Sequence, residues 1–241
     1  MISKSEFLKR VDEINFNGIT PYTKVETKKG SSAKDWCKDS WNLTTFPNSL
    51  KFSELSYGGV QGMSTAANAY LINSICQSLT KEEIYLNIGI WQGYSMCAGL
   101  IDTKCKVIGI DNFSQFTRLT TGDPEQVVRT NANKFSNKNW EFHNIDYAKF
   151  LDEFDREVSF YFYDGHHDEQ YQYDGIKRAL PYLKNGAIVL VDDVNWESAY
   201  RGTMNALRDN KVKYDIWFEQ KTSRNGHPTY WNGMLFLQVF K

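Results

Sequence analysis

The stretch Ile84-Tyr85-Leu86-Asn87-Ile88-Gly89-Ile90-Trp91-Gln92-Gly93-Tyr94-Ser95 decides how this chain is read. Its first five residues are apolar but for Asn87 and rich in β-branched and aromatic types, the composition of a short buried strand. Gly89 and Gly93 then frame a tight loop, and Ser95-Met96-Cys97-Ala98-Gly99-Leu100 continues at helical spacing. Glycine tolerates positive φ and lets a ligand approach the backbone. A helix start presents unpaired N–H groups to a carboxylate or phosphate. A plain βα turn in any α/β protein has the same outline, so the loop is interpreted through its neighbours.

Outward from this loop, β and α patterns alternate. Upstream, Tyr57-Gly58-Gly59-Val60-Gln61-Gly62-Met63-Ser64 is a glycine-rich turn, and Ser64 is expected to cap a helix through Leu79. Downstream, strands are expected at 106–111, 139–142, 158–163, 187–191, 214–218 and 233–240. Between them, helices are expected to about residue 103, from Asp123-Pro124 with proline in the first turn, from Asp146 to Phe154, over Gln170–Leu183 and over 198–209. Asn225-Gly226 marks a turn between the last two strands, which makes the final strand antiparallel. At the N-terminus, residues 3–15 read as an amphipathic helix: Ser3 and Glu6 have capping-box spacing, and Phe7, Leu8, Val11 and Ile14 line one face. From Asn17 to about Ser56 the chain is polar, broken by Pro21, Gly30-Ser31-Ser32 and Pro47 and anchored by Trp36 and Trp41. The expected organisation is an N-terminal helix and irregular arm or lid over 1–56, followed by one domain over 57–241.

Bulk properties narrow the function classes. The 241 residues carry 28 basic and 29 acidic side chains, a net charge of −1. That length suits one α/β domain with a sizeable core, and the even balance argues against nucleic acid as the main partner. Lys28-Lys29 and Lys211-Val212-Lys213 read as solvated surface. Cys37, Cys76, Cys97 and Cys105 form no metal-type pair and read as reduced, buried thiols. Met1 to Glu6 lacks the apolar core of a signal peptide, and no stretch approaches a membrane span. The expected location is the cytoplasm, with no membrane partner; a homo-oligomer is left open. Aromatic residues make up 15% and include seven Trp, a supply that suits a pocket stacking on a ring or sugar face as well as a core.

The loop spacing separates two cofactor classes. Dinucleotide folds write G-x-G-x-x-G, whereas Gly89, Gly93 and Ser95 write G-x-x-x-G-x-S. This resembles motif I of the class I S-adenosylmethionine-dependent methyltransferases, over roughly residues 57–241. Asn87 departs from it, since most relatives carry an acidic residue there. The resemblance implies a Rossmann-like α/β fold, a seven-stranded sheet in the order 3-2-1-4-5-7-6 with helices on both faces. It also implies S-adenosylmethionine as cofactor.

Asp111 follows Gly89 by 22 positions at the end of a strand. A carboxylate there accepts both ribose hydroxyls in nicotinamide and methionine-nucleoside cofactors alike; the alternative is a turn or cap residue. Asp146 falls where relatives bind the adenine amino group, and a plain helix N-cap is the competing reading. Gln61 and Met63 precede the loop where relatives close over the methyl group. In the implied strand order Asp164, Asp192 and Asp193 meet at the carboxyl edge of the sheet, where open α/β sheets bind ligands. Three converging carboxylates call for a cation, and hard oxygen donors suit Mg²⁺ or a similar divalent ion; solvated strand-end caps are the alternative.

Tyr163-Asp164-Gly165-His166-His167 and Leu190-Val191-Asp192-Asp193 further resemble the metal-dependent macrocin-type O-methyltransferases of sugars and macrolides. That resemblance implies Asp164, Asp192 and Asp193 as metal ligands, with Asp164 also at the reacting centre, and His167 as general base, a role suited to a group titrating near neutrality. His166 is expected to point elsewhere, and His143 and His227 to be structural or surface residues. The expected function is an S-adenosylmethionine-dependent O-methyltransferase, divalent-metal-dependent, acting on a hydroxyl of a sugar or other polyol-bearing small molecule. A nicotinamide-dependent oxidoreductase and a catalytically idle cofactor-binding module are the alternatives.

Overall fold

Strand β1 (Ile84–Ile88) is buried at all five positions and is an interior strand of a seven-stranded sheet. The computed structural model describes residues 1–25, 44–45, 50–55, 59–115, 122–136 and 138–241. The expected features at Lys28-Lys29, Gly30-Ser31-Ser32, Trp36, Cys37, Trp41, Pro47 and Tyr57-Gly58 lie outside those residues.

The strands are β1, β2 (Lys106–Asp111), β3 (Trp140–Asn144), β4 (Val158–Tyr163), β5 (Leu183–Asp192), β6 (Lys213–Gln220) and β7 (Met234–Phe240). Their order is β3-β2-β1-β4-β5-β7-β6. The first five run parallel, and β7 is antiparallel to both β5 and β6. Direction of growth reverses between β1 and β4, the switch point at which open α/β sheets leave a crevice for ligands.

Alternation along the strands feeds two cores, one on each face of the sheet. Tyr85, Phe160, Leu190 and Phe236 pack with Phe7, Leu71, Met96 and Val128 from helices α1 (Lys4–Asp12), α3 (Ala66–Gln77), α4 (Tyr94–Leu100) and α5 (Pro124–Phe135). The short helix Leu50–Glu54 is α2. On the other face Leu86, Tyr161, Val189 and Leu235 meet Phe150, Ile176 and Leu207. These come from α6 (Tyr147–Asp152), α7 (Glu169–Ala179) and α8 (Glu197–Asp209).

Several local expectations shift. Helix α1 carries the expected capping box, with Ser3 and Glu6 satisfying each other's backbone N–H groups. Thr65, not Ser64, caps α3: its backbone is extended and its side chain accepts from the Asn68 N–H, which satisfies one of the orphan donors of the first turn. Helix α7 stops at Ala179, two residues before Pro181, which has no N–H to continue it. Strand β5 then begins at Leu183, inside the span expected to be helical, and includes Asn185-Gly186. The register jumps from Val158–Leu183 to Phe160–Ile188, and Gly186 takes φ +84° at that irregularity. Among the described residues no helix is long and apolar enough to cross a membrane, and Cys76, Cys97 and Cys105 are free and buried.

Candidate active site

The glycine loop is built against the end of β4. Gly89 sits at φ +78°, and a Cβ there would lie 1.9 Å from the Asp164 backbone oxygen, so both backbone conformation and space demand glycine. The Asp164 N–H in turn donates to the Ile88 carbonyl at 2.9 Å. The loop and the end of β4 are therefore one joint. At its other end Gly93, at φ +90°, leads into α4.

Asp111 holds this loop in shape. Its Oδ2 accepts from the Ile90 and Trp91 N–H groups at 2.9 and 2.7 Å, and its Oδ1 from the Phe113 N–H at 2.7 Å. Asn87 and Ser95 are spent on each other: the Ser95 hydroxyl donates to Asn87 Oδ1 at 2.7 Å. Asn87 is fully buried and Ser95 nearly so. The period-two alternation explains this, because Asn87 points with Tyr85 to the α4 side of the sheet, under the helix that starts at Tyr94. Gln61 reaches the loop, its Oε1 accepting from Gln92 Nε2 at 3.2 Å; Met63 is half-buried beside it in the chain. Asp146 caps α6, accepting from the Ala148 and Lys149 N–H groups.

Across the switch point the structure assembles a cluster, though not quite the expected one. Ligand atoms of Asp164, His167 and Asp193 all lie within 4.8 Å of one another. His167 Nε2 is 2.8 Å from Asp193 Oδ2 and 3.9 Å from Asp164 Oδ1. Asp192 stands just outside this group, its Oδ1 accepting from the Asp193 N–H at 2.9 Å. Asp193 adopts φ +60°, a left-handed conformation that Asp enters more readily than most residues and that is often found at functional sites. Its second oxygen, Oδ1, accepts from Asn232 Nδ2 at 2.5 Å.

Asn232 was not expected from the sequence. It lies in the turn before β7, its own Oδ1 accepting from the Gly226 N–H at 2.7 Å and its backbone oxygen from the Asn195 N–H at 2.8 Å. The Asn225-Gly226 signal located that turn, but nothing in it says that one amide reaches across to β5. The remaining histidines fall as expected. His166 accepts from the Asp168 N–H at 3.3 Å, His143 lies 3.4 Å from Glu141, and His227 is buried between Thr229 and the Thr23 carbonyl.

Burial, then the charges of Asp192, Asp193 and Asp111, pushes the Asp164 carboxyl well above its ordinary value. Burial and the Asp193 charge push Asp192 up as well. Such an edge is relieved by a cation, and carboxylate oxygens suit a hard divalent ion. Two surface clefts elsewhere, about 260 Å³ beside Leu180 and Val239 and about 570 Å³ along the outer edge of β3, contain none of these side chains.

Known proteins resemble this chain in part of its sequence and in its fold. Residues 86–194, a little under half of the chain, match a family described as a methyltransferase domain. No curated protein matches the sequence. Among solved structures, the O-methyltransferase of Bacillus cereus in complex with SAH is similar at 14% identity and TM-score 0.57, over 87% of this chain and 100% of that one. The SAH-bound methyltransferase PaMTH1 of Podospora anserina is similar at 12% identity and TM-score 0.58, over 91% and 99%. TYW2 of P. horikoshii in complex with MeSAdo is similar at 17% identity and TM-score 0.50, over 70% of this chain. The chain spans only 61% of the length of that last protein. At these identities the structures establish a class I methyltransferase-like fold, and the sequence match to the methyltransferase domain covers residues 86–194.

Proposed function

We propose that the protein transfers a methyl group from S-adenosylmethionine to a hydroxyl of a sugar or other polyol-bearing small molecule, with a divalent cation, Mg²⁺ or similar, at the acidic edge. The observation that carries this reading is the meeting of His167, Asp193 and Asp164 at the carboxyl edge, joined through Gly89 to the glycine loop. A nicotinamide-dependent reaction is less well supported, because G-x-G-x-x-G is absent and the family match is to a methyltransferase domain.

Bound S-adenosylmethionine supplies an electrophilic methyl on its sulfonium. A divalent cation supplies Lewis acidity toward the acceptor oxygen. The chain's part is to bind and orient. Asp111 and the loop it holds would take the ribose, and the unengaged oxygen of Asp146 would take the adenine amino group. Gln61 and Met63 would border the methyl, with Asn87, Ser95 and Gly93 shaping the floor. Asp164, Asp192 and Asp193 would hold the cation. The acceptor's proton goes to the His167–Asp193 pair, which ends as an imidazolium beside a carboxylate.

Calorimetry with S-adenosylmethionine and NAD, followed by methyl-transfer assays on glycosides with and without chelator, tests each part. Binding of S-adenosylmethionine and chelator-sensitive transfer are expected. Micromolar NAD binding without response to the methionine nucleoside would overturn the cofactor, and transfer indifferent to chelator would overturn the cation.

A further inference from the structure

Few large apolar side chains stay exposed among the described residues: Met1, Tyr22, Tyr171, Trp196 and Tyr214. Two of these five lie against His166 and His167, the second of which belongs to the acidic cluster. Trp196, 39% exposed, stands nearly perpendicular to the His167 imidazole, 72° between planes with ring centroids 4.9 Å apart. Tyr171 lies 4.7 Å from the His166 ring. Exposing an indole forgoes a large burial gain, and here the exposed ring lies three residues after Asp193, at the start of α8. Its backbone is fixed there, the Trp196 N–H donating to the Asp193 carbonyl at 2.8 Å. The indole is thus tied at both ends to the residues that would do the chemistry.

We infer that Trp196 is the platform on which the ring of a sugar acceptor rests while its hydroxyls face the acidic edge. This rests on the methyltransferase reading above. Two surfaces of opposite character meet at this point. The cation that Asp164, Asp192 and Asp193 would hold takes hydroxyl oxygens, and three carboxylates with one divalent ion leave the edge net negative, against an anionic acceptor. The indole face, negative through its quadrupole, attracts the polarised C–H groups on one side of a pyranose. A pyranose carries both complements on one small rigid body. A planar arene carries C–H edges instead of a C–H face, and a nucleotide or uronate carries the wrong charge for this edge. Trp196 is a positioning residue, because it touches the acceptor ring and not the reacting oxygen.

Saturation-transfer NMR tests this on the full chain with SAH and Mg²⁺ present, using methyl β-D-glucopyranoside and methyl α-L-rhamnopyranoside as probes and catechol as the planar comparison. Wild-type protein should saturate the ring C–H protons of at least one glycoside more strongly than catechol. Trp196→Ala should weaken that binding roughly three- to tenfold, the scale of one aromatic contact. Trp196→Phe should restore most of it, and Tyr214→Ala, an exposed aromatic on β6, should change nothing. S-adenosylmethionine affinity, measured by calorimetry, should be equal in all four proteins. Equal saturation in Trp196→Ala and wild type overturns the inference. So does preference for catechol, or absence of any glycoside signal from protein that binds S-adenosylmethionine; these outcomes leave the methyltransferase reading intact. Failure of wild-type protein to bind S-adenosylmethionine overturns both.

Discussion

His167 Nε2 lies 2.8 Å from Asp193 Oδ2, which makes the last residue of the Asp-Asp pair the anchor of the imidazole. Asn232 holds the other oxygen of the same carboxylate, so three segments of the chain fix one ring. Replacing His167 with Ala should lower turnover by roughly 10²–10⁴-fold, the range for a lost general base, while leaving S-adenosylmethionine affinity within about twofold. Asn232→Ala should lower turnover by a smaller factor, because the ring keeps its Asp193 contact and loses only the fixed orientation of that carboxylate. Steady-state kinetics alongside calorimetry check both. A larger loss in Asn232→Ala than in His167→Ala would mean that the turn before β7 matters for folding, not for the ring.

Asp111 should prove more important to the cofactor than any other carboxylate. Its two oxygens already accept three backbone N–H groups of the loop and of Phe113. Asp111→Ala leaves those donors unpaired, at about 1–3 kcal/mol for each that stays buried. Affinity for S-adenosylmethionine should fall at least tenfold and the melting temperature should fall with it. Asp111→Asn keeps an acceptor oxygen and should lie between. If Asp111→Ala melts early yet binds S-adenosylmethionine normally, the carboxylate serves the loop and not the ribose.

Gly89→Ala should be among the most damaging single-methyl changes in the chain. The residue sits at φ +78° and the added carbon would meet the Asp164 backbone oxygen at 1.9 Å. A left-handed alanine costs about 1–2 kcal/mol, and overpacking against rigid backbone adds about 1–3 kcal/mol or more. Urea unfolding should show a loss of several kcal/mol, or no folded protein at all. A loss under about 1 kcal/mol would mean that β4 and the loop part easily, contrary to their close contact.

Acid sensitivity should trace in part to Glu141 on β3. The Arg156 guanidinium holds its carboxyl down at about 2 from an ordinary 4.5, with Lys106 and His143 adding to the effect against the opposing influence of burial. A depressed folded-state pKa stabilises fully above the unfolded value and loses that contribution as pH falls toward the folded value. The stability difference between wild type and Glu141→Gln should be constant above about pH 5 and shrink between pH 4.5 and 2. Urea midpoints measured through that interval check this; a difference that persists unchanged at pH 2.5 would show that the ion pairs are not its source.

Strand and helix order was legible in the sequence because it rests on short-range patterns. The β1 run Ile84–Ile88, the β2 run ending at Asp111 and the Asp123-Pro124 helix start each carry their signal within a few residues, and the final hairpin announced itself through Asn225-Gly226. The motif spacing around Gly89 and the Asp-Asp pair likewise drew the candidate site to the carboxyl ends of β1, β2, β4 and β5. What the sequence left undetermined was pairing at a distance. Asn87 stood out as a departure from the motif, but only its burial under α4 pairs its amide oxygen with the Ser95 hydroxyl. Asp192 and Asp193 looked equivalent until the positive φ of Asp193 turned one toward His167 and left the other on its neighbour's backbone. Asn232 had no local signature at all, since its role exists only because β7 returns antiparallel beside β5. Periodicity and turn chemistry act within a few residues and so can be read along the chain; hydrogen-bond partners between segments are chosen by how the sheet brings its strand ends together.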